Sequence, residues 1–351
     1  MKNFFYRVAT DQIDSWPIKI LKIVLWVLSC IYGCGVAIVK LLYRMEILKQ
    51  QRLPKPVISI GNITLGGVGK TPLIEYVALA LRAQGFRSVI LTRGYMAKNT
   101  PVSDEAEMLR KSLRSIPVLA GKDRFKNAQE FLVNNSTDIF LLDDGFQHWR
   151  LFRDMDIAVI DATDPWGNRH LIPRGILREP LNALKRADIF VLTKTDLARS
   201  SVVVIRDQFK SIVGSKLVVE AIHEPTVLID LKTHQTSDVS SVSGQRVCLV
   251  CSIGNPKSFE DTLIGLGASI QEHFAFLDHY VYTEEDIKEI LRYCKGHQIK
   301  MIVTTQKDAA KLGEFLSLIE EGISLVSLQI NIVLVKEKEA FLERINHLLH
   351  R

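Results

Sequence analysis

The feature that most constrains this chain is a glycine-rich loop between an apolar run and a helical pattern, at residues 58–72. The loop closes with Lys70 and Thr71, and Pro72 opens the helical pattern. Backbone N–H groups of such a loop can wrap a pyrophosphate, the lysine can reach the β- and γ-phosphates, and the threonine hydroxyl can ligate Mg²⁺. The helix points its positive end at the anion. The segment predicts a nucleoside triphosphate site, although Thr64 stands where the usual pattern has glycine.

Charge is distributed unevenly along the 351 residues. The first 55 residues contain nine Lys or Arg and three acids, which accounts for the whole net charge of +6, and the other residues hold 36 of each sign. A charge-balanced body offers no extended basic surface, so we expect no nucleic-acid partner. The positive mean hydropathy of +0.11 instead favours a protein that touches a membrane.

The apolar part of that basic segment predicts a membrane anchor within residues 1–50. Ile23–Val39 is seventeen residues without a charge, flanked by Lys19, Lys22 and Lys40. This length is the lower limit for spanning a bilayer, and flanking lysines also suit a helix lying on anionic lipid. Spanning and lying flat stay open at this point, and a buried core helix is a third alternative. A signal peptide is disfavoured because no clear cleavage site follows the run.

The cysteines do not indicate a disulfide framework, because their number is odd. Cys248 and Cys251 lie in an apolar run that predicts a strand, where side chains three positions apart point to opposite faces. We expect all cysteines to be reduced packing residues of a cytosolic protein. They are Cys30, Cys34, Cys248, Cys251 and Cys294.

The body alternates short β-branched runs with helical patterns from Pro56 onwards. This predicts an α/β fold with a parallel sheet like that of phosphate-loop NTPases and with helices on both faces. After about residue 200 the pattern restarts, and the polar stretch Lys232–Gln245 is the expected link between two lobes. We therefore expect a nucleotide-binding core at residues 51–231 and a smaller C-terminal α/β lobe at 232–351.

Charged residues follow the ends of the predicted strands, where ligands collect in such sheets. Asp143 and Asp144 follow the apolar run Ile139–Leu142, and in a phosphate-loop protein an acid there holds Mg²⁺ directly or through water. Arg93 ends the preceding strand and suits bidentate contact with phosphate.

Two further patterns have competing interpretations. Asp104 and Glu105 precede a helical pattern, and by spacing alone they are an N-cap with a first-turn acid. Thr193–Asp196 follows an apolar strand and resembles the guanine-recognition motif of GTPases. The second pattern supports an alternative function, a regulatory or metallochaperone GTPase or ATPase.

Taken together, the motifs resemble the tetraacyldisaccharide 4'-kinase family, the lipid A 4'-kinases of Gram-negative bacteria. The Asp-Asp-Gly-Phe-Gln-His string and the Arg-Glu-Pro loop are typical of this family rather than of phosphate-loop proteins in general, and a threonine at position 64 is usual in it. The similar segments are residues 61–72, 92–95, 121–124, 143–148, 173–180, 276–280 and 305–308.

The resemblance implies transfer of the γ-phosphate of ATP to the 4'-hydroxyl of a lipid A disaccharide 1-phosphate, with Mg²⁺. It implies that Asp104 is the general base, that His279 assists it, and that Lys70 acts on the phosphates. Thr64, Leu65, Gly66, Gly67, Val68, Gly69, Lys70 and Thr71 would hold ATP, and Thr71, Asp143 and Asp144 the metal. Arg93, Glu105, Arg124, Gln147, His148, Arg178 and Glu179 would contact substrate.

The resemblance also implies a location and partners. The enzyme would be held on the cytoplasmic face of the bacterial inner membrane by its N-terminal helix. Its partners would be the membrane-embedded glycolipid substrate and the lipid surface, and no obligate protein partner is inferred.

Overall fold

The computed structural model describes residues 8–9, 11, 13, 15–94, 104–198, 202–278 and 280–350, without the side chains of Asp104 and Glu105. The chain forms two compact units. The first contains residues up to Ile222 together with Leu334–Arg351, and the second is His223–Val333. The chain crosses between the units inside two long strands, β7 (Leu217–Asp230) and β12 (Ser324–Lys336).

The first unit is a parallel sheet with strand order β3-β2-β4-β1-β5-β6-β7. Every residue of β1, β2, β4, β5 and β6 is buried, as expected for central strands covered on both faces. The strands are β1 (Val57–Gly61), β2 (Ser88–Thr92), β3 (Val118–Ala120), β4 (Ile139–Asp143), β5 (Met155–Asp161) and β6 (Ile189–Thr193).

Helices of the first unit connect these strands. Apolar residues of the helices, strands and loops pack into buried clusters; Phe146, Phe190 and Phe209 belong to one, Val57 and Phe140 to another, and Ile18 and Leu25 to a third. The helices are α1 (Trp16–Arg44), α2 (Lys70–Ala83), α3 (Asp104–Ser112), α4 (Arg124–Asn134), α5 (Val202–Val213) and α9 (Lys338–Leu349), with a 3₁₀ helix at Leu181–Arg186.

Helix α1 is long and apolar enough to cross a membrane, by length and composition only. The helix has 29 residues, begins after Ser15 and has Pro17 in its first turn. Only 11% of its most hydrophobic stretch of 18 residues is buried. Exposed aliphatic side chains recur at helical spacing, as at Ile20, Val27 and Ile31. A core helix would bury these side chains, so the buried-core interpretation is not supported.

The second unit is a smaller α/β unit with parallel strand order β10-β9-β11-β12, in which β8 pairs antiparallel with the later part of β7. Cys248 and Cys251 point into two different cores on opposite faces of β9, as predicted. Its other elements are β8 (Thr236–Asp238), β9 (Arg246–Cys251), α6 (Pro256–Gly265), β10 (Ser269–Ala275), α7 (Glu284–Gly296), β11 (Met301–Thr305) and α8 (Gln306–Leu312), with 3₁₀ helices at Val239–Val242 and Gly313–Leu318.

The structure differs from the sequence-based organisation in two respects. The second unit begins within β7, so the polar stretch Lys232–Gln245 lies inside it as β8 and a short 3₁₀ helix, and the C-terminal helix belongs to the first unit. Cys30 and Cys34 are exposed on α1 rather than packed, whereas Cys248, Cys251 and Cys294 are buried.

Candidate active site

The phosphate loop lies between β1 and α2, and its backbone is fixed by a distant segment. Gly66 and Gly69 have φ angles of 112° and 90°, a region that strongly favours glycine. Loop residue Leu65 donates its N–H to the carbonyl of Ile176 at 2.7 Å, and Arg178 donates its N–H to the carbonyl of Ile63 at 2.6 Å. The segment around residues 170–178 therefore supports the loop from the side.

A cluster of charged groups stands at the entrance to α2. The two terminal guanidinium nitrogens of Arg178, Nη1 and Nη2, donate hydrogen bonds to the two carboxylate oxygens of Asp144, at 2.8 and 3.1 Å. The ammonium of Lys70 lies 3.5 Å from the same carboxylate and donates to Oδ1 of Asn62 at 3.1 Å. These contacts bring three predicted site residues together, and they add Asn62, for which the sequence suggested no role.

The charge state of Asp144 follows from its neighbours. Burial alone would raise the pKa of this carboxyl, but the charges of Lys70 and Arg178 and their hydrogen bonds outweigh burial and hold the pKa well below its usual range. Asp144 is therefore ionised at neutral pH, and it keeps Lys70 at the start of α2. Its backbone is left-handed, with a φ of 47°.

Asp143 occupies the end of β4 and is almost fully buried. One of its carboxylate oxygens accepts a hydrogen bond from the hydroxyl of Thr92 at 3.0 Å, and its carbonyl accepts one from Arg124 at 3.2 Å. This side chain is held by the neighbouring strand, whereas that of Asp144 faces the phosphate loop.

Oxygen donors at this loop suit a magnesium ion. Among the described residues, no group of three or more His, Cys, Asp or Glu side chains could hold a metal. Mg²⁺ needs fewer protein ligands in such sites, because it keeps several waters and binds phosphate oxygens with one or two carboxylates. Asp143, Asp144 and the hydroxyl of Thr71 fit that donor set.

His148 is a neutral hydrogen-bonding group here. Burial first, and then the charges of Arg124, Arg153 and Arg150, lower the pKa of His148 from 6.5 to about 4. Because Nη1 of Arg124 can only donate, its 3.0 Å contact makes Nδ1 of His148 the acceptor and leaves the proton on Nε2. His148 is thus available as a donor through Nε2.

Glu179 is buried within the protein rather than open to a substrate. Its side chain is 2% exposed and accepts hydrogen bonds from two nitrogens of Arg186, at 2.6 and 2.8 Å. Gln147 donates to Glu179 at 3.0 Å and to the carbonyl of Asn62 at 2.8 Å. The guanidinium of Arg186 also stacks over the ring of Phe146 at 3.6 Å. Glu179 therefore orients Gln147, and no sequence pattern pointed to Arg186.

Of the other predicted site residues, Arg93 is exposed directly after the end of β2. Asp104 begins α3, but its side chain and that of Glu105 lie outside the described part of the structure, and His279 lies wholly outside the described residues.

The pKa of His148 predicts a pH dependence of stability. Between pH 6.5 and about 4 the unfolded chain binds a proton at this histidine that the native protein does not, so the free energy of unfolding falls as pH decreases through this window. Urea unfolding of the wild type and His148→Gln from pH 7 to 4 measures the effect. We expect a shallower decline in the variant, and identical declines would contradict the assigned neutral histidine.

Comparison with known proteins places this architecture in a family. The family model for tetraacyldisaccharide-1-P 4'-kinase matches residues 21–350. A tetraacyldisaccharide 4'-kinase from Syntrophus aciditrophicus is 38% identical, over 85% of this chain and 86% of its own length. A tetraacyldisaccharide 4'-kinase from Halothermothrix orenii is 35% identical, over 95% of this chain and 96% of its own length.

The solved structures give a matching result. The crystal structure of LpxK from Aquifex aeolicus in complex with ATP is 28% identical and covers 94% of this chain and 99% of that one, with a TM-score of 0.71. The sequence matches and this structural likeness extend over almost the whole chain. The chain belongs to the tetraacyldisaccharide-1-P 4'-kinase family.

Proposed function

We propose that this protein transfers the γ-phosphate of ATP to the 4'-hydroxyl of a tetraacyldisaccharide 1-phosphate, a lipid A precursor, to give lipid IVA. The observation that carries the proposal is the cluster of Lys70, Asp144 and Arg178 beside the phosphate loop. Family membership names the acceptor, and the solved relative was crystallised with ATP.

The phosphate loop and its lysine bind the donor in this proposal. Backbone N–H groups within residues 66–71 surround the β- and γ-phosphates, and Lys70 moves from Asp144 and Asn62 to the anion. Thr71, Asp143 and Asp144 would hold Mg²⁺, which when bound neutralises charge on the β- and γ-oxygens. Arg178 keeps Asp144 ionised and in place while the ammonium changes partner.

The acceptor side of the mechanism rests on residues around β2 and β4. We assign Asp104 as the general base for the sugar hydroxyl, with Glu105 beside it and His279 assisting. Arg93 and Arg124 contribute positive charge against phosphate oxygens. The Nε2–H of His148 is the candidate donor to the sugar. Both N–H groups of Gln147 are already donated, so its side-chain oxygen is the candidate acceptor from a sugar hydroxyl, and Glu179 acts through Gln147.

The contacts of α1 support a helix that lies along the membrane surface. At 1.5 Å per residue its 29 residues extend over about 44 Å. Its middle is bound to the loop beside the phosphate site: Ser29 donates to the carbonyl of Leu171 at 2.8 Å, and Tyr32 donates to the carbonyl of Arg178 at 2.9 Å. A spanning helix would draw this charged loop to the bilayer centre, which is costly.

The exposed side of α1 would therefore enter one leaflet while the bound side holds the kinase core at the lipid headgroups. We propose the cytoplasmic face of the inner membrane, where ATP is available. This arrangement presents the phosphate site to a lipid that does not need to leave the bilayer.

Lys70→Ala tests the reaction. Loss of the ammonium should reduce transfer of labelled phosphate from ATP to tetraacyldisaccharide 1-phosphate by at least about 100-fold, because this charge stabilises the transferring group. The assay uses the full chain in mild detergent with Mg²⁺, and Lys126→Ala, an exposed lysine of α4, is the control.

Unchanged transfer by Lys70→Ala would overturn the proposed role of the phosphate loop. Acceptor-independent hydrolysis of GTP, with no labelled lipid from the wild type, would overturn the kinase proposal. That result would favour the regulatory GTPase alternative and its motif at Thr193–Asp196.

Asp104→Ala tests the general base. Turnover should fall by about 100-fold or more while the affinity for ATP stays within a few-fold, because a base acts in the transition state. Glu107→Ala is the matched control, since Glu107 lies on the same helix and pairs only across the helix surface with Lys111 at 2.8 Å. Normal turnover of Asp104→Ala would mean that the base is another residue.

Spin labels test the orientation of α1. Ile20, Ile31 and Ile38 lie on one exposed face of the helix. Each is replaced in turn by a cysteine that carries the spin label, in a protein whose exposed Cys30 and Cys34 are replaced by serine. In anionic vesicles we expect all three labels at a similar shallow depth, and a label at exposed Val281→Cys in water. A deep Ile31 position between shallow Ile20 and Ile38 positions would indicate a spanning helix.

A further inference from the structure

Helix α1 contacts the rest of the first unit along one narrow stripe of its surface. Buried and half-buried side chains recur there at helical spacing, as at Ile18, Leu25, Ser29, Tyr32 and Val36. Only 11% of its most hydrophobic stretch is buried, so little hydrophobic free energy holds the helix against the core. In water, arrangements that cover its exposed apolar face would compete with the observed position.

The middle of this stripe is bound to a short loop at residues 171–178, which we call the coupling loop. Ser29 donates to the carbonyl of Leu171 at 2.8 Å and accepts from a backbone N–H inside the loop at 3.0 Å. Tyr32 donates to the carbonyl of Arg178 at 2.9 Å. The helix therefore holds the backbone of the coupling loop near both of its ends.

The coupling loop is also bound to the phosphate loop. The carbonyl of Ile176 accepts from the N–H of Leu65 at 2.7 Å, and Arg178 donates its N–H to the carbonyl of Ile63 at 2.6 Å. The guanidinium of Arg178 holds the carboxylate of Asp144. Two backbone hydrogen bonds of 2.9 Å close the coupling loop on itself, so a shift of its backbone at α1 also changes its position at the phosphate loop.

We infer that Ser29 and Tyr32 are positioning residues for the phosphate site, through which a lipid surface raises the affinity for the nucleotide. A leaflet that covers the exposed face of α1 removes the competing arrangements and favours the seated helix. The seated helix fixes the coupling loop, and the coupling loop fixes the phosphate loop and the guanidinium of Arg178.

Thermodynamic linkage makes this coupling reciprocal. If a lipid surface raises the affinity for the nucleotide, the nucleotide raises the affinity for the lipid surface by the same factor. The inference rests on the proposed function for the nucleotide and for the position of α1 at the membrane. It adds that membrane binding and nucleotide binding are energetically connected.

Nucleotide binding with and without vesicles tests the coupling. The full chain, at high dilution and with detergent below its micellar concentration, is titrated with a fluorescent, non-hydrolysable ATP analogue and Mg²⁺. The vesicles contain phosphatidylethanolamine and anionic phosphatidylglycerol, because α1 carries four Lys or Arg and no acid. The wild type should bind the analogue about fivefold or more tightly with vesicles. Equal affinities would overturn the inference.

Tyr32→Phe removes one hydroxyl and keeps the ring. The gain from vesicles should fall to about twofold or less, and Ser29→Ala combined with Tyr32→Phe should abolish it. Tyr43→Phe is the matched control, because Tyr43 lies on the same helix and its ring stacks on Trp149, and it should keep the full gain. A full gain in the double variant would contradict the positioning role.

The ratio of the two dissociation constants separates positioning from a merely structural role. A variant that only destabilises the fold lowers the fraction of competent protein with and without vesicles, and the ratio stays at the wild-type value. Sedimentation with vesicles gives the reciprocal measurement. The analogue should raise vesicle binding of the wild type about fivefold or more, and it should have no effect on the double variant. Vesicle binding that ignores the analogue in the wild type would also overturn the inference.

The binding experiments and the transfer assay distinguish the two proposals. A gain in nucleotide affinity from vesicles without phosphorylation of the lipid would keep the coupling and reject the kinase function. Phosphorylation of the lipid with equal nucleotide affinities would keep the function and reject the coupling.

Discussion

The carboxylate of Asp144 between Lys70 and Arg178 is the interaction on which the arrangement of the site depends. A carboxylate that is partly removed from water needs compensating charge, and here two cations supply it from different parts of the chain. The contact joins the phosphate loop, the turn after β4 and the loop at residues 173–180. Asn62 binds both cations and so fixes their spacing.

This cluster continues outward to α1. The guanidinium of Arg178 donates hydrogen bonds to Asp144, and its backbone carbonyl accepts one from the hydroxyl of Tyr32. One residue therefore contacts both the phosphate site and the apolar helix. Ser29 completes the attachment by donating to Leu171 and accepting from the N–H of Arg174. The position of the helix and the position of the phosphate loop are consequently set by the same short segment, as expected of an enzyme whose acceptor is a membrane lipid.

Local patterns in the sequence were enough for the central strands and the phosphate loop. The strand predicted to end at Arg93 is observed as β2, which ends at Thr92, and the apolar run before Asp143 is observed as β4. These segments are short, mostly apolar runs closed by a loop, which is a local signal. By contrast, β7 and β12 are irregularly and only partly buried and run through both units, so their extent depends on pairing between distant residues.

The candidate site shows the same difference between residues with a local sequence signal and residues placed by long-range contacts. Residue types and spacing indicated Lys70, Asp143 and Asp144, because their chemistry is recognisable next to a glycine-rich loop, and the family resemblance indicated Arg178. The burial of Glu179 against Arg186 had no such signal, since it requires the 3₁₀ helix at Leu181–Arg186 to fold back onto Phe146. The contacts of Thr193 and Lys194 with the phosphate loop likewise join positions more than 100 residues apart.

A crystal structure with Mg²⁺ and a non-hydrolysable ATP analogue would test the central claim most directly. We predict β- and γ-phosphate oxygens within hydrogen-bonding distance of Lys70 and of the N–H groups at residues 66–71, with the metal at Thr71 and the Asp143–Asp144 turn. Arg178 would still bind Asp144. A nucleotide bound elsewhere, with Lys70 still on Asn62 and Asp144, would contradict the account.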